Sequence, residues 1–281
     1  MNTTKTSKVL NSLQRVLSSQ NKIVTLLKSY RKYKEAQHIS SHFSTYLTPM
    51  IACEAALKHE VFKIRHSVYC DELGFEKPNQ LEEEKDEFDD YAQYCLIHHD
   101  KSQLFAGTVR IVTPKESTHL LPIEKYCVNS ITNKALAPSQ FNREDVCEVS
   151  RLAVPQMFRR RQIDKFQGAG VGVINQSTYS ETELRCFPFI AVGLYLAAAS
   201  MALENQIKHA YVMMEPRLAR SMSFVGIKFE QIGPVINYHG KRAPYYINQS
   251  LLNDNLTVGF SKMLRDIQSE LRKSYRQQGE Y

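Results

Sequence analysis

The chain reads as an α+β protein with a central mixed, mostly antiparallel sheet flanked by helices. Three observations predict this class. Two apolar runs, residues 94–98 and 104–112, follow one another as strands joined by a polar turn do. Helical patterning brackets them, over residues 54–72 before and along a stripe of Leu256, Phe260, Met263, Leu264, Ile267 and Leu271 after. Between these, residues 210–214, 216–224 and 228–232 alternate strand, helix and strand.

The first 46 residues stand apart. Residues 1–34 carry eight Lys/Arg and no acid, so the formal charge of +7 leaves about −1 for the rest of the chain (7 − 8). Basic character that belongs to a leader argues against a nucleic-acid-binding body, which spreads cations over one face of a fold. Val9, Leu10, Leu13, Val16 and Leu17, then Ile23, Val24, Leu26 and Leu27, recur at helical amphipathic spacing. The leader reads as a helical extension over residues 1–46 that packs on the body or another subunit, or touches anionic lipid as a peripheral contact. It lacks the continuous apolar stretch of a secretory signal.

The whole chain has ordinary globular composition, 43% hydrophobic and 23% charged, and its body spans residues 47–281. Its first helix spans residues 54–72 and stops at Gly74. Residues 76–90 form a strongly acidic loop, too polar for a core element. Residues 113–145 look irregular, and residues 147–154 form another strand. Arg159, Arg160 and Arg161 begin a helix broken by a glycine-rich run at 167–172, which reads as an inserted flexible loop because no Lys follows it. Residues 187–203 are the most apolar segment, shorter than the ~20 residues that cross a bilayer, and read as a buried helix. The six cysteines (53, 70, 95, 127, 147, 186) form no CxxC or Cys/His cluster. Reduced thiols in a cytoplasmic protein with no metal follow.

The chemistry lies in charges that do not belong in strands. Arg110 and Arg151 sit in or beside apolar runs, where a guanidinium is costly unless a carboxylate pairs with it. Asp86, Asp89 and Glu148 are the available partners. Asp86 and Asp89 taken alone read as a solvated loop, while Arg110, Glu148 and Arg151 read as an active site, with a purely structural ion network as the alternative. No Ser/His/Asp or Cys/His arrangement suggests a covalent intermediate, and no histidine has ligand spacing.

The spacing of these residues resembles the acyl-homoserine-lactone (autoinducer) synthases. That pattern is an Arg (Arg65), an aromatic four on (Tyr69) and another ten on (Phe75). An Asp-x-x-Asp pair begins twenty-one residues after the Arg (Asp86, Asp89), followed by a strand Arg (Arg110) and Glu-x-Ser-Arg (Glu148, Ser150, Arg151). Past residue 155 the chain looks more like relatives of those enzymes, the N-acyl amino acid synthases and the acyltransferases associated with the PEP-CTERM/exosortase system. Met214-Glu-Pro-Arg-Leu-Ala-Arg220 and Tyr238-His-Gly-Lys-Arg-Ala-Pro-Tyr245 carry that likeness.

The resemblance implies a GNAT-like N-acyltransferase fold and an enzyme that moves a fatty acyl chain from acyl carrier protein, or acyl-CoA, to an amino-acid amine. It implies no permanently bound cofactor, only the phosphopantetheine thioester as co-substrate. Making an amide from a thioester requires deprotonating an ammonium, and Glu148 is the expected base. Arg110 and Arg151 either grip an acceptor carboxylate or hold Asp86 and Asp89. Tyr69 and Phe75 line a pocket, with Ser150 beside them, and Arg65 fixes the acidic loop. In GNAT enzymes the backbone at positions matching Leu152, Ala153 and Val154 binds the pantetheine arm, and the turn carrying Arg159, Arg160 and Arg161 meets the phosphate or docks the carrier protein. Two alternatives stand: a homoserine-lactone synthase using S-adenosylmethionine, and a catalytically silent GNAT-like binding module.

Overall fold

The computed structural model describes residue 41 and residues 43–159 and 189–278. Most of the expected leader helix, Arg160 and Arg161, the glycine-rich run and Cys186 lie outside the described residues. Eight strands form among them: β1 (Leu47–Ile51), β2 (Ala92–His99), β3 (Leu104–Val112), β4 (Val146–Ala153), β5 (His209–Met214), β6 (Glu230–Gln231), β7 (Ile236–Asn237) and β8 (Lys241–Asn248). They run in the order β1-β2-β3-β4-β5-β8-β6, with β7 also paired to β8. Every pairing is antiparallel except β4 with β5.

The helices are α1 (Ala55–His66), α2 (Pro122–Tyr126), α3 (Ile190–Glu204), α4 (Pro216–Val225), α5 (Gln249–Asn255) and α6 (Val258–Gln277). Parallel strands need a long crossover, and α3 lies in the crossover from β4 to β5. Its sequence is apolar nearly all round, as a helix covered on every side must be. α3 packs on β2, β3, β4 and α6, and α6 continues the cover over β1. Val109, Ile111 and Val149 from the strands meet Leu194, Ala198, Met263 and Ile267 in this main core. α1 covers the other face, where Val61 and Ile64 pack on Tyr94 and Leu96.

Phe43 belongs to the main core at 1% exposure, although it falls inside the expected extension. Its ring lies against Gly193 of α3, where a Cβ would stand 2.5 Å from the Phe43 ring. Glycine is required by that approach.

The expected helix over residues 54–72 ends its regular part at His66. Ser67–Glu72 widens into a π turn, with the Leu73 N–H bonded to the Val68 carbonyl. Three strands escaped the sequence reading. β1 holds Pro49 and β8 holds Pro244, and proline inside a run argues against a strand. β1 is an edge strand among the described residues, where a missing N–H is tolerated. β7 is two residues long, too short to show alternation. The strand expected at 228–232 shrinks to β6.

Candidate active site

The acidic loop stays exposed along much of its length but turns several side chains inward. Glu84 is 5% exposed and Phe88 1%, because the carboxylates of this loop close over arginines that α1 and the sheet bury. Arg65, at 0% exposure on α1, sends Nε to Glu84 at 2.5 Å and both Nη atoms to Asp89 at 2.7 and 3.0 Å. Arg110, 1% exposed on β3, donates from Nη1 to Asp86 at 2.5 Å and to Asp89 at 2.8 Å, from Nη2 to Asp86 at 3.0 Å, and from Nε to Ser150 Oγ at 3.1 Å. Asp86 also caps the turn Glu87–Tyr91 by accepting from the Phe88 N–H, while Asp89 accepts from the Asp86 N–H and the Tyr94 hydroxyl. Burial alone would raise the Asp89 carboxyl, but Arg65 and Arg110 outweigh it and hold it well below the usual carboxylate range.

Arg151 joins this network through a backbone irregularity. Thr108 faces Ala153 and Arg110 faces Ser150, so β4 carries one residue more than β3 across that stretch. Arg151 takes up the bulge at φ +50°, a left-handed conformation that costs a non-glycine residue about 1–2 kcal/mol. The bulge brings its side chain to the loop that pairs Arg110. There Nη2 lies 3.1 Å from Asp86 and 3.2 Å from Glu76, and Nε donates to Glu84 at 3.1 Å. Three guanidiniums thus meet four carboxylates, a formal sum of −1. Of the two roles left open for Arg110, the geometry shows the holding of Asp86 and Asp89. Four of its hydrogen bonds run to Asp86, Asp89 and Ser150. Glu76 and Glu84 were missed, since nothing in Glu82-Glu-Glu84 marks one of three neighbours as buried.

Glu148 stands outside the network, against the expectation that it would pair with the strand arginines. It is 2% exposed, and its Oε2 accepts the Ile123 N–H of α2 at 2.7 Å. Burial pushes its carboxyl up to about 8, with the Ile123 bond and Arg110 pulling down less strongly. Its position in the sheet is distinctive. The β4–β5 register runs only through Val146, Cys147 and Glu148, the last facing Tyr211, after which the two strands part.

On the α3 face of the sheet lies a small apolar hollow of about 60 Å³, against Ala210, which pairs with Cys147 where β4 and β5 are still joined. Val149, Ala210, Tyr195, Ala198, Phe229 and Ile247 are among its walls. On the other side Tyr69 donates from its hydroxyl to the Leu152 carbonyl at 2.8 Å, and the Arg151 guanidinium lies 5.5 Å from its ring centre. That bond occupies one backbone acceptor expected to meet a pantetheine arm, and Ala153 is paired to Thr108 of β3. Val154 is buried in the main core. Phe75 packs 5.3 Å from the His239 ring and 5.9 Å from the Arg242 guanidinium. Arg159 forms an ion pair with Glu72. Arg242 was quoted within the Tyr238–Tyr245 motif but given no role; only its surroundings single it out.

Residues 64–167 match the family model described as Acetyltransferase (GNAT) domain. The fold is GNAT-like. Among solved structures, the CoA-dependent acyl-homoserine lactone synthase BjaI bound to MTA superposes with a TM-score of 0.52 at 15% identity, covering 77% of this chain and 89% of that one. The same enzyme with SAM and isopentyl-CoA gives 0.51 at 14% identity over the same shares. FeeM, an N-acyl amino acid synthase from uncultured soil microbes, gives 0.49 at 13% identity, covering 76% of this chain and 96% of that one. No curated protein sequence matches the chain.

Proposed function

We propose that this protein is an N-acyltransferase that moves a fatty acyl chain from a thioester, carried by acyl carrier protein or CoA, to the amine of an amino acid, giving an N-acyl amino acid. The observation that carries this reading is Glu148. An ordinary carboxylate, with a pKa near 4.3, is a poor match for an ammonium proton. One raised to about 8 at the point where β4 and β5 part is well matched. The Ile123 N–H holds Oε2, and Oε1 is the atom for the incoming proton.

In the reaction Glu148 takes a proton from the acceptor ammonium, the freed nitrogen attacks the thioester carbonyl, and the C–S bond breaks. The thiolate takes up the proton held by Glu148, which regenerates the base, a second nitrogen proton passes to solvent, and the third stays on the amide. The gap that opens where β4 and β5 part receives the thioester, each methylene of the acyl chain that becomes buried contributing about 0.8 kcal/mol. The paired arginines keep the acidic loop and Ser150 in place beside the base. Acyl carrier protein is the proposed donor-side partner. No helix among the described residues is long and apolar enough to cross a membrane.

The experiment supplies full-length protein with long-chain acyl carrier protein or acyl-CoA, a mixture of amino acids, and S-adenosylmethionine in a separate arm, with products read by mass spectrometry. N-acyl amino acids are expected. A lactone formed only with S-adenosylmethionine would replace the proposed acceptor, and no acylated product from folded protein would overturn the reading.

A further inference from the structure

Arg242 differs from the arginines of the acidic loop. It lies on β8 next to Ala243, which pairs with Met214 at the end of β5. Its Nε is buried and meets no hydrogen-bond partner among the described residues. Its neighbours are rings: Phe75 at 5.9 Å, with His239 on Phe75 and Tyr238 4.8 Å from His239. A part-buried guanidinium with no anion is costly to keep, which suits a site that a ligand anion completes.

Glu148 is the complementary case, a buried carboxyl bonded by a backbone N–H and, among the described residues, by no cation. The charges of both residues act on the Cys127 thiol and on the Tyr238 hydroxyl. Sheet register puts them on one face, since Glu148 faces Tyr211 of β5, Tyr211 faces Tyr246 of β8, and Arg242 lies four residues from Tyr246 along β8. Tyr238 stacks 6.4 Å from Tyr126 of α2, the helix whose Ile123 N–H holds Glu148. A group carrying an ammonium and a carboxylate on one carbon complements that arrangement, nitrogen toward Glu148 and carboxylate toward Arg242. The planar guanidinium fork also suits a carboxylate bidentately.

We infer that Arg242 binds the α-carboxylate of the acyl acceptor, so that the acceptor carries a free α-amino-acid group and not a simple amine. This rests on the acyltransfer reading, and it moves the acceptor grip from Arg110 and Arg151 to β8. The α-amino-acid group occurs both in free amino acids and in S-adenosylmethionine, and the test separates them.

Wild type, R242Q and R242K are titrated calorimetrically with each amino acid, with S-adenosylmethionine, with the matching amides and decarboxylated amines, and with a long-chain acyl-CoA. Melting curves check folding. For wild type, at least one α-amino-acid ligand should bind, and its amide or amine should bind roughly 10- to 100-fold more weakly, as expected for losing a charge-assisted pair. R242Q should bind acid and amide alike, R242K should fall between, and acyl-CoA should bind all three proteins equally. Should R242Q fail to fold, R242K carries the comparison by narrowing the acid-to-amide ratio. No binding of any α-amino-acid ligand, equal binding of acid and amide to wild type, or weakened acyl-CoA binding with acceptor binding unchanged would each overturn the inference. Failure of the acyltransfer reading looks different: Arg242-dependent binding of an amino acid without any acylated product.

Discussion

Two neighbouring regions of this molecule handle buried charge in opposite ways. Around Arg65, Arg110 and Arg151, every guanidinium is bonded to carboxylates of the acidic loop. A few residues away, Glu148 has no cation bonded to it and the buried Nε of Arg242 has no partner among the described residues. The first arrangement neutralises itself and fixes a loop. The second is left for charges brought from outside. Charged residues in a buried site are therefore not equal candidates for chemistry; those already satisfied within the protein are the framework, and the unsatisfied ones are where a substrate is recognised.

The sharpest way to break this comparison is Glu148→Gln. It should lower acyl transfer by about 10²–10⁴-fold, the range for a general base, while the melting temperature at neutral pH stays or rises. Unchanged turnover would remove Glu148 from the mechanism.

Next in size is Arg110→Met, which leaves Asp86 and Asp89 short of a cation. Urea unfolding should report a loss of about 3–5 kcal/mol, the range for breaking one side of a buried ion pair. R242Q should lose far less, since no partner is stranded. Equal losses would erase the distinction between the two regions.

The two regions should also titrate in opposite directions. Glu148 is raised in the folded state, so its stabilising contribution is complete at low pH and falls as pH climbs from the unfolded carboxyl value through about 8. Asp89 is lowered, so its contribution is complete above the unfolded aspartate value and is lost as pH falls below it. Melting temperatures between pH 5 and 9 should therefore decline for wild type relative to E148Q. Below about pH 4 the two proteins should lose stability together. Parallel curves from pH 5 to 9 would show that Glu148 is not perturbed.

Tyr69 sits between the regions, and Tyr69→Phe is the smallest test. Losing its bond to the Leu152 carbonyl should cost about 0.5–1.5 kcal/mol in chemical denaturation. A loss as large as that of R110M would place Tyr69 inside the framework.

Much of the fold was legible in local pattern. β3 shows as an apolar run of the right length, and α6 as a stripe at helical spacing, because one-sided burial imposes a period on the sequence. The spacing from Arg65 to Asp89 likewise picked out residues that the structure brings together. β1 and β8 were hidden by their prolines, which the tertiary structure accommodates at sheet positions no local rule anticipates. The charge partnerships were harder to read: Arg151 lies 67 residues from Glu84 in sequence, and nothing nearby marks which acid will reach it.

The sequence by itself determined the strongly patterned elements, the misplaced arginines of the strands and the acidic loop that answers them, since propensity and burial period are local properties. Tertiary structure alone decided that Glu84 and not Glu148 completes the arginine network, that a left-handed Arg151 turns into it, and that the Nε of Arg242, beside the Phe75 ring, meets no hydrogen-bond partner among the described residues. Pairing of charges depends on distance through space in a medium of low dielectric, and chain separation carries no record of that distance.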